Sequence, residues 1–137
     1  MNKYTLFIFT ILITNLTFGQ SASVSPNAVV IGGTISANWS GFSGNVNVDV
    51  WKGGTKWTDA NTNVPGTGSQ GLNTTGWEIR SDYRVRIVLR SNINVFVYSE
   101  YFSVSQPNVS VSPTSVLQGG TVSSSWSGFS GNVNVEV

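Results

Sequence analysis

The chain has 137 residues, of which 9% are charged and 12% aromatic, and it contains neither cysteine nor histidine. Without those two residue types it holds no thiolate zinc site, no Ser-His-Asp triad, no Cys-His dyad and no disulfide. Seven basic residues against six acidic ones give a net charge of +1, too weak a field to direct the chain to nucleic acid.

Residues 1–20 read as a secretory signal peptide and not as part of the fold. Lys3 supplies the early positive charge, Leu6-Phe7-Ile8-Phe9 and Ile11-Leu12-Ile13 form an apolar run, and Gly19 precedes Gln20 and Ser21 as a small-residue cleavage site. A membrane anchor is the competing interpretation. The run is short of the roughly 20 apolar residues a span needs, and Thr10, Thr14 and Asn15 interrupt it. Removing Lys3 leaves six basic and six acidic side chains, so the exported chain is near neutral. The expected location is therefore extracellular, secreted or at the cell surface, with the membrane involved only through export. Small exported domains often lean on disulfides; with no cysteine, this one depends on burial alone.

Beyond the signal, alternation of period two is the prevailing pattern and helical periodicity is absent. Residues 22–25 open the first strand, which stops at Pro26, a residue that cannot donate to a ladder. Residues 34–40 place Ile35, Ala37 and Trp39 on one face. Residues 45–51 place Val46, Val48 and Val50 inward, with Asn47, Asp49 and Trp51 outward. The turn between them, Gly41-Phe42-Ser43-Gly44, has the glycines a tight reversal needs, and Phe42 is expected to fold back over the end of the domain. Residues 52–76 are rich in Gly, Asn and Thr, and predict one short edge strand over 56–58 followed by an irregular loop. Residues 82–90 form the clearest strand, with Tyr83, Val85, Ile87 and Leu89 inward and Arg84, Arg86 and Arg90 outward. Residues 95–98 and 101–104 complete the domain as one last strand, interrupted at Ser99-Glu100.

A repeat governs the architecture. Ser23-Val24-Ser25-Pro26 returns as Ser110-Val111-Ser112-Pro113, and the block from Trp39 to Val48 returns unbroken from Trp126 to Val135, at a period of about 87 residues. That period is the size of a small β-sandwich. The expected fold is all-β: an immunoglobulin-like antiparallel β-sandwich of about seven strands in residues 21–107, followed in residues 108–137 by the start of a second, truncated copy. Trp39, Trp77, Tyr83 and Trp126 are the expected core aromatics. Val137 corresponds to Val50, within a predicted strand. The segment is accordingly expected to be the N-terminal piece of a longer tandem array, or else to pair its incomplete copy with another chain's exposed edge.

Several of these residues carry a family resemblance. Ser25-Pro26, Gly33-Thr34-Ile35 leading to Trp39, and Val46-Asn47-Val48-Asp49-Val50 in the first half, then Gly76-Trp77-Glu78-Ile79, Asp82-Tyr83-Arg84-Val85-Arg86-Ile87 and Ser99-Glu100-Tyr101-Phe102-Ser103-Val104 in the second, resemble the N-terminal domain of yeast cell-wall-synthesis proteins. That domain also occurs in Ser/Thr-rich anchored surface proteins and in many secreted bacterial proteins. The signal ending in Gly-Gln and the Asn/Ser/Thr-rich style look like an exported protein of the Bacteroidota. The resemblance implies an immunoglobulin-like, non-catalytic module of a cell-surface or extracellular protein; fungal members are tied to β-glucan assembly. It carries over no catalytic residue.

Of the acidic residues, Asp49 and Asp82 lie where two strands could bring them together, but their outward alternation beside arginines favours surface ion pairs over a glycosidase pair. The stretch Asp59-Ala60-Asn61-Thr62-Asn63 only faintly echoes a calcium loop, and hydrogen bonding in a turn suits it better. No catalytic residue, metal site or cofactor is expected. The candidate ligand-binding residues are Trp51, Trp57, Arg84 and Arg86. Exposed indoles suit the apolar face of a pyranose and the arginines an anionic glycan, whereas pairing of Arg84 and Arg86 with Trp51 and Asp49 across strands would make the same set structural. The expected function is a stalk, adhesion or cell-wall-associated repeat; a carbohydrate-binding module attached to a downstream hydrolase is the alternative. The expected partners are neighbouring repeats in the same chain and cell-wall or extracellular glycan.

Overall fold

The structure, a computed structural model, describes residues 19–129 and 132–136. The expected signal segment therefore falls, apart from Gly19 and Gln20, outside the described residues. Among those described there is no helix, and none long and apolar enough to cross a membrane.

Nine strands occupy residues 21–105: β1 (Ser21–Ser25), β2 (Ala28–Val30), β3 (Thr34–Ser40), β4 (Val46–Lys52), β5 (Thr55–Val64), β6 (Gly68–Asn73), β7 (Arg80–Leu89), β8 (Phe96–Tyr98) and β9 (Phe102–Ser105). They form two sheets. The smaller has the order β1-β3-β6, and the larger β2-β9-β7-β4-β5 with β8 also paired to β7. All neighbours are antiparallel except β2 and β9, which run parallel. Two further strands, β10 (Asn108–Ser112) and β11 (Ser123–Ser127), pair with each other.

The alternation that makes these segments strands also builds the core. Val24, Ile35, Ala37, Trp39 and Leu72 from the smaller sheet join the inward residues of β4, β7 and β9 in one buried cluster. Tyr83, Val85 and Ile87 are all but inaccessible, as are Val46, Val48 and Val50 of β4, with Val48 opposite Ile87 and Val50 opposite Val85. Trp39 fills the space between sheets and donates its indole N–H to the Pro65 carbonyl at 2.8 Å, which satisfies the one polar atom it buries. Phe42 does fold back and is buried. Beneath it Gly66 is required, since a Cβ there would lie 2.3 Å from the Phe42 carbonyl oxygen.

The chain departs from the sequence expectation in several places. The segment expected to hold a short edge strand over 56–58 and then an irregular loop instead contains two strands, β5 of ten residues and β6 of six. Polar side chains do not disfavour these positions, because β5 and β6 are edges whose outer sides meet water. The β4–β5 register slips between Val46 and Val48, between Val48 and Asp49, and between Val50 and Trp51. Asn63 sits at φ 59°, a conformation that asparagine tolerates better than most residues. The last strand is two: β8 pairs with Arg86–Val88 and β9 with the start of β7 around Arg80 and Tyr83. The main strand begins at Arg80, not at residue 82, and ends at Leu89. The three-residue β2 is too short to show alternation and was not expected. Trp126, expected in a core, is 47% exposed on β11, because no second sheet lies over the β10–β11 pair among the described residues.

The two jobs of Trp39 are separable. Trp39→Ala should cost about 3–5 kcal/mol in chemical denaturation through the cavity it leaves. Trp39→Phe should cost less, on the order of 1–3 kcal/mol, chiefly by stranding the Pro65 carbonyl. An unchanged stability in Trp39→Phe would show that the indole hydrogen bond contributes nothing, and equal losses in the two variants that the ring's volume does not.

Candidate functional site

The outward side of the β4–β7–β8 surface is not a bland solvent face. Register puts Asp49 opposite Arg86 and Trp51 opposite Arg84 across β4 and β7, and Tyr98 opposite Arg86 across β7 and β8. The side chains at these positions therefore project to one side and meet.

Charge comes first. Asp49 is 1% exposed although it points away from the core, so it is a buried carboxylate and not the surface ion-pair partner expected from its alternation. Its Oδ2 lies 2.9 Å from Arg86 Nη2 and its Oδ1 3.2 Å from Lys56 Nζ, contacts with the spacing of ion pairs but not the alignment of good hydrogen bonds. Lys56 also holds Asp59 at 2.6 Å, and Asp59 faces Asp49 across the β4–β5 pair. Asp82, the neighbour considered for Asp49, is instead bound to Arg80 at 2.7 Å.

Aromatic rings form the rest of the surface. Trp51 and Tyr98 meet edge to face, with centroids 5.4 Å apart, and Phe96 meets Tyr98 in the same way at 5.5 Å. The Arg84 guanidinium carbon lies 3.7 Å from the Tyr98 ring centroid and 5.3 Å from that of Tyr101, while Arg86 lies 4.9 Å from Trp51 and 5.5 Å from Phe96. Guanidinium groups at these distances over aromatic rings are held there by cation–π attraction. Phe96 and Tyr101 remain exposed at the edge of this platform. Trp51 Nε1, Arg84 Nε and Arg86 Nε are buried with no hydrogen-bond partner among the described residues.

Trp57 does not belong to this platform. At the bulge where the register passes from Val50↔Thr58 to Trp51↔Lys56, Trp57 is the extra residue and turns to the other face. There it packs edge to face on Trp77 at 5.0 Å and near Tyr83, with Lys52 Nζ 4.7 Å above its ring. Trp77 and Tyr83 lie within this inner aromatic group, which reaches Phe102. Arg90 follows the end of β7 and stands apart from Arg84 and Arg86, its backbone N–H given to the Asn45 carbonyl. Asp59, Asn61 and Asn63 lie in β5 rather than a loop; Asn61 donates to Gln70 and Asn63 accepts from Asn45. Among the described residues no group of acidic side chains is arranged to hold a metal ion.

Sequence reasoning placed Trp51, Arg84 and Arg86 as outward residues and missed Tyr98, Phe96 and Tyr101. The missing signal was a pairing, not a residue type. Only the β7–β8 register shows that Tyr98 lies beside β7, where its ring meets Arg84. No protein-family model matches the chain, and a search of curated proteins finds no significant relative.

Burial first, and then the neighbouring Asp59 carboxyl, push the Asp49 carboxyl above the usual carboxylate range, against the pull of Lys56 and Arg86. Asp59 moves the other way, lowered first by Lys56 and then by Asp49. On acidification the pair accordingly takes its first proton on Asp49. A carboxyl whose folded pKa exceeds its unfolded value favours the folded state at low pH and loses that contribution as pH rises through the folded pKa. Asp49→Asn has no such proton to lose. Its stability relative to the parent should therefore improve between about pH 3 and pH 6. Denaturant unfolding of both proteins across that range checks this, and a difference that falls with pH would contradict it.

Proposed function

We propose that the chain is part of an exported protein built from non-catalytic immunoglobulin-like repeats, serving as a stalk, adhesion or cell-wall-associated module outside the cell. The observation that carries this reading is the recurrence of one backbone pattern. The β1–β3 register runs from Ser21↔Ser40 to Ser25↔Ser36, and the β10–β11 register from Asn108↔Ser127 to Ser112↔Ser123, every pair displaced by 87 residues. Gly32 and Gly41 have positive φ, and so do Gly119 and Gly128 at the same displacement. A sequence that repeats its turns as well as its strands reads as a unit copied along a chain.

The strand order supports the immunoglobulin-like part of the reading. A sheet of β1-β3-β6 facing a sheet in which β9, β7, β4 and β5 follow one another parallels the A-B-E and G-F-C-C′ halves of such a sandwich. Tyr83, near the start of β7, donates its hydroxyl to the Glu78 carbonyl at 3.1 Å, as the tyrosine corner of that fold does. The resemblance of residues 25–50 and 76–104 to the cell-wall-synthesis domain family points to the same compartment, as does the apolar leader with its small-residue cleavage site.

A second reading, a carbohydrate-binding module, is favoured by one specific feature: the partly exposed platform of Trp51, Tyr98, Phe96 and Tyr101 around Arg84. Aromatic faces presented beside polar donors suit sugar rings.

Residues 21–107 expressed alone should unfold in a single cooperative transition and remain monomeric, as an independent repeat must. A fragment without a cooperative transition would remove the basis for a modular array.

A further inference from the structure

On the carbohydrate-binding reading, on which this inference rests, we propose that the platform around Arg84 selects acidic sugars, taking the carboxylate of a uronic-acid residue on the Arg84 guanidinium while the sugar ring lies on Tyr101.

Charge balance on this face singles out Arg84. Three cations, Lys56, Arg84 and Arg86, stand with two carboxylates, Asp49 and Asp59. Asp49 is held by Arg86 at 2.9 Å and Asp59 by Lys56 at 2.6 Å, which leaves Arg84 with no salt bridge among the described residues. Arg84 is nevertheless half-buried, and its Nε is fully covered and unpartnered. A cation taken partly out of water without a counter-charge is costly unless something supplies one. Its π contacts with Tyr98, Tyr101 and, at 6.0 Å, Trp51 offset part of that cost and fix the guanidinium plane.

A guanidinium whose carbon lies 3.7 Å over one ring still has N–H donors in a planar fork, the geometry that takes a carboxylate in two parallel hydrogen bonds. Beside it Tyr101, 55% exposed with its ring centroid 5.3 Å from the guanidinium carbon, offers apolar area on which a pyranose can lie. A neutral glucan would use the rings and leave the cation uncompensated; an isolated anion would use the cation and leave the rings bare. A uronic acid uses both.

Isothermal titration of the 137-residue chain with oligogalacturonate and with a neutral glucan oligosaccharide of equal length tests the proposal. Thermal unfolding of each variant would establish that it is folded. Oligogalacturonate should bind the more tightly. Arg84→Gln should weaken it by roughly tenfold or more and leave the neutral sugar unchanged, as expected for a lost charge-assisted pair. Tyr101→Ala should weaken both sugars, and Arg90→Gln neither. Equal affinity for the two sugars, lost in Tyr101→Ala but indifferent to Arg84→Gln, would overturn the acidic preference and keep the glycan site. Equal loss in Arg84→Gln and Arg90→Gln would mean diffuse attraction and overturn the site. Absence of binding to either sugar by the folded parent would overturn both readings.

Discussion

Both faces of the β4–β7 ladder are taken out of water, and the remainder of the domain is arranged around that double burial. Inward, the ladder contributes valines, Ile87 and Tyr83 to a core shared with the smaller sheet. Outward, the same two strands carry Asp49, Trp51, Arg84 and Arg86, which an isolated ladder would leave solvated. β8 and the turn into β9 lay Phe96, Tyr98 and Tyr101 against them, and β5 brings Lys56 and Asp59 from the other side. The outer layer is thus a second core, built from ions and rings instead of aliphatic groups. Asp49 and Asp59 are paired there with Arg86 and Lys56, while Arg84 has only aromatic rings against it.

The inner core was legible from alternation alone, because Val46-x-Val48-x-Val50 and Tyr83-x-Val85-x-Ile87 have a period of two with no competing pattern. The outer layer was only half legible. Asp49 alternates outward, which ordinarily means exposure, yet its burial follows from what neighbouring strands place over it. That information lies in register, and register depends on pairings between segments far apart in sequence. Trp57 shows the same limit at one residue. A single bulge sends it to the opposite face from the one its position implies, joining it to Trp77 and Tyr83. β5 and β6 were hidden for another reason: their glycines, asparagines and threonines suit turns, and edge strands need little apolar area to pair.

The contrast between Trp39 and Trp126 separates what a sequence block encodes from what its surroundings supply. The two occupy corresponding places in identical ten-residue blocks, and both lie on strands with corresponding pairing. One is 5% exposed and hydrogen-bonded to Pro65; the other is 47% exposed. Local sequence therefore sets the strand that carries the tryptophan, while burial, and the strand that Val46–Val48 form and residues 133–135 do not, depend on the rest of the domain.

The irregular pairing of β5 bears on a hazard peculiar to chains that repeat themselves. Neighbouring units of nearly identical sequence, tethered at high local concentration, invite a strand of one to complete the sheet of the next. β5 forms an edge of the larger sheet, where such an exchange would begin. Its slipped register, the positive φ at Asn63 and the charged pair Lys56 and Asp59 deny an incoming strand a straight, neutral template. The bulge at Trp57 is thus one of the features that make this edge a poor template for an incoming strand.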